Sequence, residues 1–197
     1  MENTNLLTIN FEKFIKNNKN IFTGKNIAIA VSGGADSLAL AIISNKFKYK
    51  YNYKLIAFTV DHQLRKEAAK EARHVKKLIQ DIGIDHYTLV WREEKPNTKI
   101  QESSRIARYN LLSEACNKYE CNSILLGHHA DDQVETFIIR LEANSGLDGL
   151  SCMQEKNKIL TSYGQINLIR PLINTRKKIL IEICKNNNIS WIEDPSN

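Results

Sequence analysis

Four short apolar runs, each separated from the next by a helix-length segment, constrain this chain more than any other feature. They are Ile27 to Val31, Leu55 to Val60, Tyr87 to Trp91 and Ser123 to Gly127. A continuous apolar run of this length suits a strand buried on both faces. Between the runs the apolar residues change to helical spacing. Ala68, Ala72, Val75, Ile79 and Ile82 fall on one helix face, as do Ile106, Tyr109, Leu112 and Cys116. Val134, Phe137, Ile138 and Leu141 form a third such face. Strand–helix–strand alternation with short loops implies right-handed crossovers and an α/β fold. With a further strand at Ile166 to Ile169, a parallel sheet of about five strands flanked by helices on both faces is expected.

Length and composition agree with a soluble globular protein of one medium domain, or one plus a fragment. The chain has 197 residues, 42% apolar and 25% charged, with only 8 Gly and 3 Pro. These values exclude collagen-like and low-complexity chains. No apolar run approaches the roughly 20 residues of a bilayer span, so no membrane partner is expected. The N-terminus is polar, carries Glu2 and Glu12, and lacks a secretory layout, so a cytoplasmic location is expected. Lys and Arg number 28 against 22 Asp and Glu, a net charge of +6 that favours an anionic partner. Cys116, Cys121, Cys152 and Cys184 form no C-x-x-C pair, and Cys116 and Cys121 lack zinc-knuckle spacing. They read as buried or free reduced thiols.

The segments 93–99 and 144–151 read as exposed loops. Thr175 reads as the N-cap of a basic helix running to about Asn186, and residues 189–192 form one more short apolar run.

Chemistry enters at the first strand-to-helix junction. Val31 is followed by Ser32-Gly33-Gly34-Ala35-Asp36-Ser37 and then by helix-like sequence. In a parallel sheet this junction lies at the carboxyl edge, where such folds bind ligands. Two glycines let the backbone approach a phosphate closely, and successive amides at a helix N-terminus supply partial positive charge. Ser32 and Ser37 add hydroxyls. Asp36 would repel a bare phosphate and makes sense as a magnesium ligand. No Lys follows the glycines, which excludes the common P-loop, and the G-x-G-x-x-G pattern is absent too.

S-G-G-x-D-S resembles the pyrophosphate loop of the N-type ATP pyrophosphatases, the PP-loop family. The resemblance implies a Rossmann-like, adenine nucleotide alpha hydrolase-like fold that cuts ATP between its α and β phosphates and adenylates a carbonyl oxygen.

The second junction narrows the choice. After Ser123 to Gly127 come His128-His129-Ala130-Asp131-Asp132-Gln133-Val134-Glu135-Thr136. Acids at a helix start gain from the macrodipole, and that accounts for one or two of them. It does not account for two His, two Asp, a Gln and a Glu beside a phosphate loop. Asp132 and Glu135, at i and i+3, share a helix face.

This stretch is similar to the G-H-H-x-D-D-Q-x-E-T signature of the tRNA(Ile)-lysidine synthase family. Asp61-His62-Gln63-Leu64-Arg65, Glu102 with Arg105, Arg108 and Tyr109, Ser145 to Leu150, Arg170-Pro171-Leu172 and Trp191 to Asn197 resemble its other motifs in the family's order. Gln63 stands where the family often has Gly. The resemblance implies a ligase that uses ATP to adenylate the wobble cytidine of tRNA(Ile) with a CAU anticodon. L-Lysine is then coupled to form lysidine, which changes codon specificity from AUG to AUA. It implies ATP binding by Ser32, Gly33, Gly34, Ala35, Asp36, Ser37, Val60 and Asp61. Asp36, His129, Asp132 and Arg108 are implied as catalytic, with Mg2+ on Asp36 and Asp131. Asp132, Glu135, Arg105, Arg108 and Arg170 are implied to hold lysine or tRNA. Partners expected are tRNA(Ile) and L-lysine, with a homodimer left open. Residues 1–24 are expected as an N-terminal helix and lead-in and 25–197 as the PP-loop catalytic domain. The C-terminal tRNA-binding domains that the resemblance implies are not expected within these 197 residues.

Alternatives within reach are a 2-thiocytidine synthetase, disfavoured by the missing cysteine pairs, and a non-catalytic ATP-binding module, disfavoured by the acidic second motif. The alternating basic and aromatic residues from Lys46 to Lys54 precede the second strand, at the edge opposite the phosphate loop, and read as packing plus solvated lysines. Arg176, Lys177, Lys178 and Lys185 are the better RNA candidates. His74 and His86 read as structural.

Overall fold

The computed structural model describes residues 2–65, 67–143 and 151–193. The chain runs α1 (Glu2–Asn17), α2 (Lys19–Phe22), β1 (Asn26–Ala30), α3 (Ala35–Phe47), β2 (Lys54–Asp61), α4 (Ala68–Asp81), β3 (Asp85–Val90), α5 (Ile100–Lys118), β4 (Cys121–Leu125), α6 (Ala130–Glu142), β5 (Lys156–Thr161), β6 (Gly164–Ile169) and α7 (Lys177–Asn186). The strands form one six-stranded sheet in the order β3-β2-β1-β4-β6-β5. Five of them are parallel, as expected, and β5 adds an antiparallel edge against β6. The sequence did not announce β5. It is an edge strand with alternating exposure and opens on Lys-Asn-Lys, so it carries no apolar run.

The central strands read as continuous apolar runs because both faces of the sheet are covered. Leu7, Phe11, Ile15, Leu38, Leu40, Val75, Ile79 and Leu180 pack on one face, so α1, α3, α4 and α7 share a single core. Tyr109, Leu112, Ala115 and Cys116 of α5 close the other face over Ile56, Phe58 and Ile124. Ile106, expected on the buried face of α5, is exposed, and its neighbour Ala107 is buried instead. The larger departure is α6. It forms where expected, yet buries no residue, and Val134, Phe137, Ile138 and Leu141 are all exposed.

Two smaller expectations change. Helix α7 is N-capped by Arg176, not Thr175, and the Arg176 side chain makes no cap hydrogen bond. The cap comes from another element: Asp131 Oδ2 accepts the Lys177 N–H at 2.6 Å. Residues 189–192 form no strand. They lie as a tail against the first core, and Ile192 donates its N–H to Gly33 O at 2.9 Å. The loop expected at 144–151 falls outside the described residues except for Ser151. The aromatic stretch behaves as packing, with Phe47 and Tyr53 buried and Tyr49 exposed. No disulfide joins any two of the four cysteines, and Cys116, Cys121 and Cys184 are buried.

The strand order places a topological switch between β1 and β4. From β1 the chain winds one way to β2 and β3, then crosses back through α5 to β4 on the other side. Helices diverge from the carboxyl ends of strands at such a point and leave a crevice.

Candidate active site

The two motifs found in the sequence meet at that crevice. A cleft of about 480 Å³ opens there, lined by Ser32, Asp36 and Ser37 after β1, Val60, Asp61 and His62 at the end of β2, Arg108 of α5, and Gly127, His128 and Asp132 after β4. Leu64 and Arg65, from the motif that follows β2, close one side together with Ala68, Glu71 and Ala72 of α4, and no motif had singled out those three.

The loop after β1 is shaped by one left-handed residue and by serine hydroxyls. Gly33 has φ +96, and a Cβ there would meet Val75 Cγ2 at 2.7 Å and Ile192 Cδ1 at 2.9 Å, so both backbone and space require glycine. Ser37 Oγ donates to Gly34 O at 3.0 Å and accepts the Ser32 N–H at 3.2 Å. Ser37, expected as a phosphate donor, therefore spends its hydrogen on the loop. Helix α3 begins after Gly34 with no side-chain cap. The first-turn amides of Ala35, Asp36 and Ser37 thus lack a capping side chain, an arrangement suited to an anion.

Gly127 sets the distance between the motifs. A Cβ on it would stand 3.0 Å from Asp36 C, 3.0 Å from Ser37 N and 3.1 Å from Asp36 O. Only glycine lets the β4 exit lie against the start of α3.

His129 lies beneath the cleft rather than in it. It is buried and N-caps α6 in a reciprocal box: its Nδ1 accepts the Asp132 N–H at 3.3 Å, and Asp132 Oδ2 accepts the His129 N–H at 2.8 Å. Its Nε2 then faces Asp36 Oδ2 at 3.4 Å and Asp132 Oδ1 at 3.5 Å. Burial opposes a charge on this ring, but Asp36, Asp132 and Asp131 together outweigh it and raise its pKa. Burial raises the Asp132 pKa, with Asp36 and Glu135 adding to the effect. The cluster is thus rich in negative charge. Asp36 Oδ1 is buried with no hydrogen-bond partner among the described residues.

The remaining expected residues divide. Val60 and Asp61 line the cleft, and Asp61 Oδ1 is engaged by the Gln63 N–H at 2.8 Å. Arg105 and Arg108 both lie over the Tyr109 ring, at 5.4 and 5.0 Å, and only Arg108 reaches the cleft wall. Glu135 is exposed, one turn along α6 from Asp132, outside the lining. Asp131 is not among the residues lining the cleft, and its Oδ2 stands 3.7 Å from His129 Nδ1. Its carboxylate caps α7, and that N–H holds its pKa below the usual range. A place on the metal, expected from sequence, does not suit a carboxylate committed to a helix end. Asp131→Ala is expected to cost about 1 kcal/mol of stability, as other lost caps do. It should lower nucleotide affinity far less than a change at Asp36, readable by urea unfolding and nucleotide titration. Arg170 is buried and bonded to protein groups, including His128, so it does not line the cleft.

A polar brace supports the floor. Thr59 Oγ1 donates to Val31 O at 2.8 Å and stands 2.8 Å from His86 Nε2. Thr59 has one hydrogen to give, so His86 Nε2 is the donor in that pair. Burial, then Lys76, lowers the His86 pKa from 6.5 to about 4. A depressed histidine favours the folded state only while neutral. Its contribution is therefore intact above pH 6.5 and is lost as pH falls toward 4, by about 3 kcal/mol in full. Urea unfolding at pH 7 and pH 4 should reveal that loss, and His86→Gln should flatten the slope.

Comparison with known proteins follows the same lines. The profile of the PP-loop domain matches residues 4–197. The chain is 38% identical over 190 residues to a tRNA(Ile)-lysidine synthase of Rickettsia akari, covering 95% of this chain and 43% of that protein. A tRNA(Ile)-lysidine synthase of Rickettsia rickettsii is 37% identical over 190 residues, with 95% and 39% covered. The chain thus spans about two fifths of the length of these curated relatives, 43% and 39%. Among solved structures, the U34-tRNA thiolase NcsA from Methanococcus maripaludis superposes with a TM-score of 0.73 at 17% identity, over 93% of this chain and 67% of that one. The NH3-dependent NAD synthetase from Campylobacter jejuni gives 0.59 at 14% identity, over 94% and 74%. At such identities the likeness concerns the fold alone.

Proposed function

Because the chain belongs to the PP-loop domain family, we propose that it is the ATP-handling part of a tRNA(Ile)-lysidine synthase. In this reading ATP adenylates the wobble cytidine of a tRNA(Ile) with a CAU anticodon, and L-lysine then displaces AMP. The observation that carries the proposal is the single cleft shared by the uncapped start of α3, Asp36 and Asp132. The curated relatives that bear this name supply the substrate class.

Each residue has work it can do. The amides of Ala35, Asp36 and Ser37 take the pyrophosphate end of ATP, and Val60 and Asp61 border the space left for adenosine. Mg2+ fits Asp36, whose buried Oδ1 has no partner among the described residues. No group of three or more His, Cys, Asp or Glu side chains poised for a metal exists among the described residues. The remaining ligands would be phosphate oxygens and water, as is usual for this ion. Bound there, magnesium would neutralise charge on the departing pyrophosphate. Arg108 offers a guanidinium to the same phosphates.

Lysine suits the acidic side. Burial raises the Asp132 pKa, and the nearby Asp36 and Glu135 add to the effect. An ammonium group would relieve it, with Asp132 inside the cleft and Glu135 at its rim. The basic start of α7 (Arg176, Lys177, Lys178) suits contact with RNA phosphates.

The test is lysine transfer. The complete protein, given radiolabelled L-lysine, ATP, Mg2+ and transcripts of tRNA(Ile), should place label in the tRNA carrying CAU and release AMP. Absence of label with every component present overturns the reading. Asp132→Asn should raise the KM for lysine by about 10-fold while leaving nucleotide affinity within about 3-fold, given the usual worth of one charged hydrogen bond.

A further inference from the structure

Arg170 has an unusual position for a cation, 4% exposed at the end of β6. Its Nη1 donates to Gln154 O at 2.9 Å and to Asn157 Oδ1 at 2.7 Å, which fixes the approach to β5. Its Nε donates to His128 Nδ1 at 3.0 Å.

That last contact has only one chemical form. A guanidinium keeps its protons in a protein, so Arg170 is the donor and His128 Nδ1 keeps its lone pair. A neutral imidazole carries one N–H, which must then be at Nε2. His128 lines the cleft beside Asp36, Arg108 and Asp132. Among the described residues its Nε2 has no protein acceptor, and it is not one of the buried polar atoms without a partner. That nitrogen is therefore accessible, on a residue that lines the cleft. Burial, followed by Arg170, Arg108 and Arg105, lowers the His128 pKa to about 4, so the ring is neutral at physiological pH.

We propose that Arg170 is a positioning residue: it holds His128 in the Nε2–H form and aims that N–H into the cleft as an uncharged donor to a phosphate oxygen of the bound nucleotide. The inference rests on the reading of this cleft as an ATP site. It gives Arg170 a role through His128 in place of direct contact with lysine or tRNA, and it brings into the site the histidine of the pair that the sequence left without a task.

Two measurements test it. Long-range proton–nitrogen spectra of 15N-histidine-labelled protein report the tautomer directly. His128 should show a protonated Nε2 and a bare Nδ1 in wild type, and a mixture of forms in Arg170→Met. A bare Nε2 in wild type, or an unchanged spectrum in Arg170→Met, overturns the proposal. The second measurement is titration with α,β-methylene-ATP and Mg2+. A glutamine amide can stand in for an Nε2 donor and an asparagine cannot, so His128→Gln should bind the analogue about 10-fold more tightly than His128→Asn, the usual scale of one hydrogen bond to a charged group. Arg170→Met should weaken binding by about 10-fold in the wild-type background but by less than about 2-fold beside His128→Gln, where no tautomer needs holding. Equal losses in both backgrounds would make Arg170 merely structural and overturn the proposal. If Arg170→Met does not fold, the wild-type spectrum and the Gln-to-Asn ratio still decide. Failure of wild type to bind the analogue at all would instead remove the ATP reading, and the tautomer spectrum separates the two failures.

Discussion

Asp36→Ala should lower ATP-dependent lysine transfer by at least about 100-fold, the scale on which removal of a group facing developing charge is felt. The reason is local. Asp36 brings a carboxylate to the first turn of α3, beside the amides suited to pyrophosphate, and one of its oxygens is buried without a partner among the described residues. Alanine removes the only acid in that turn and also strips His129 of the carboxylate 3.4 Å from its Nε2. Asp36→Asn separates the two effects. The amide can still meet His129, so stability is retained, but it cannot neutralise a divalent cation. The loss of activity should persist in Asp36→Asn with unfolding unchanged to within about 1 kcal/mol. Pyrophosphate release and urea unfolding, measured on both variants, check this. Activity within about 3-fold of wild type would remove Asp36 from the chemistry.

Gly127→Ala should be strongly damaging for a single added methyl, because what it meets is backbone. The added Cβ would stand 3.0 to 3.1 Å from backbone atoms of Asp36 and Ser37. Backbone at the start of a buried helix cannot swing aside as a flexible side chain does. Either β4 or α3 must move, at a cost of about 1–3 kcal/mol. The movement also opens the angle between the two motif loops, so nucleotide affinity falls with stability. Gly34→Ala is the control. Its Cβ would meet only Ser32 Oγ at 3.7 Å, an ordinary contact, and its φ of −70 suits any residue. It should unfold within about 1 kcal/mol of wild type. Thermal and urea unfolding of the two variants test the contrast, and equal stability would contradict the close approach.

Such contrasts define what the sequence could reveal. The parallel strands were legible because burial on both faces removes alternation and leaves runs such as Ile27 to Val31. The edge strand β5 was not, because Lys156, Asn157 and Lys158 face a half-exposed surface. The α6 helix shows the limit of periodicity: its apolar residues predict a helix correctly, but spacing alone cannot say what lies against that face, and all are exposed. Residue types near the two glycine-bearing junctions pointed to the crevice that the strand order opens between β1 and β4. Their individual tasks depended on contacts far apart in sequence. Asp131 caps a helix 46 residues on, and Arg170 reaches back 42 residues to His128. Within one motif, adjacent histidines take opposite places, His129 under the floor and His128 on the wall. Neither the pattern H-H nor its spacing encodes that division.

The most direct test of the whole account is a structure of the protein with α,β-methylene-ATP and Mg2+. The account predicts the phosphates on the amides of Ala35 to Ser37, the metal on Asp36, and the base beside Val60 and Asp61. Nucleotide held elsewhere, for instance at the opposite edge among Lys25, Lys48 and Lys54, with the β1–β4 crevice empty, would contradict it.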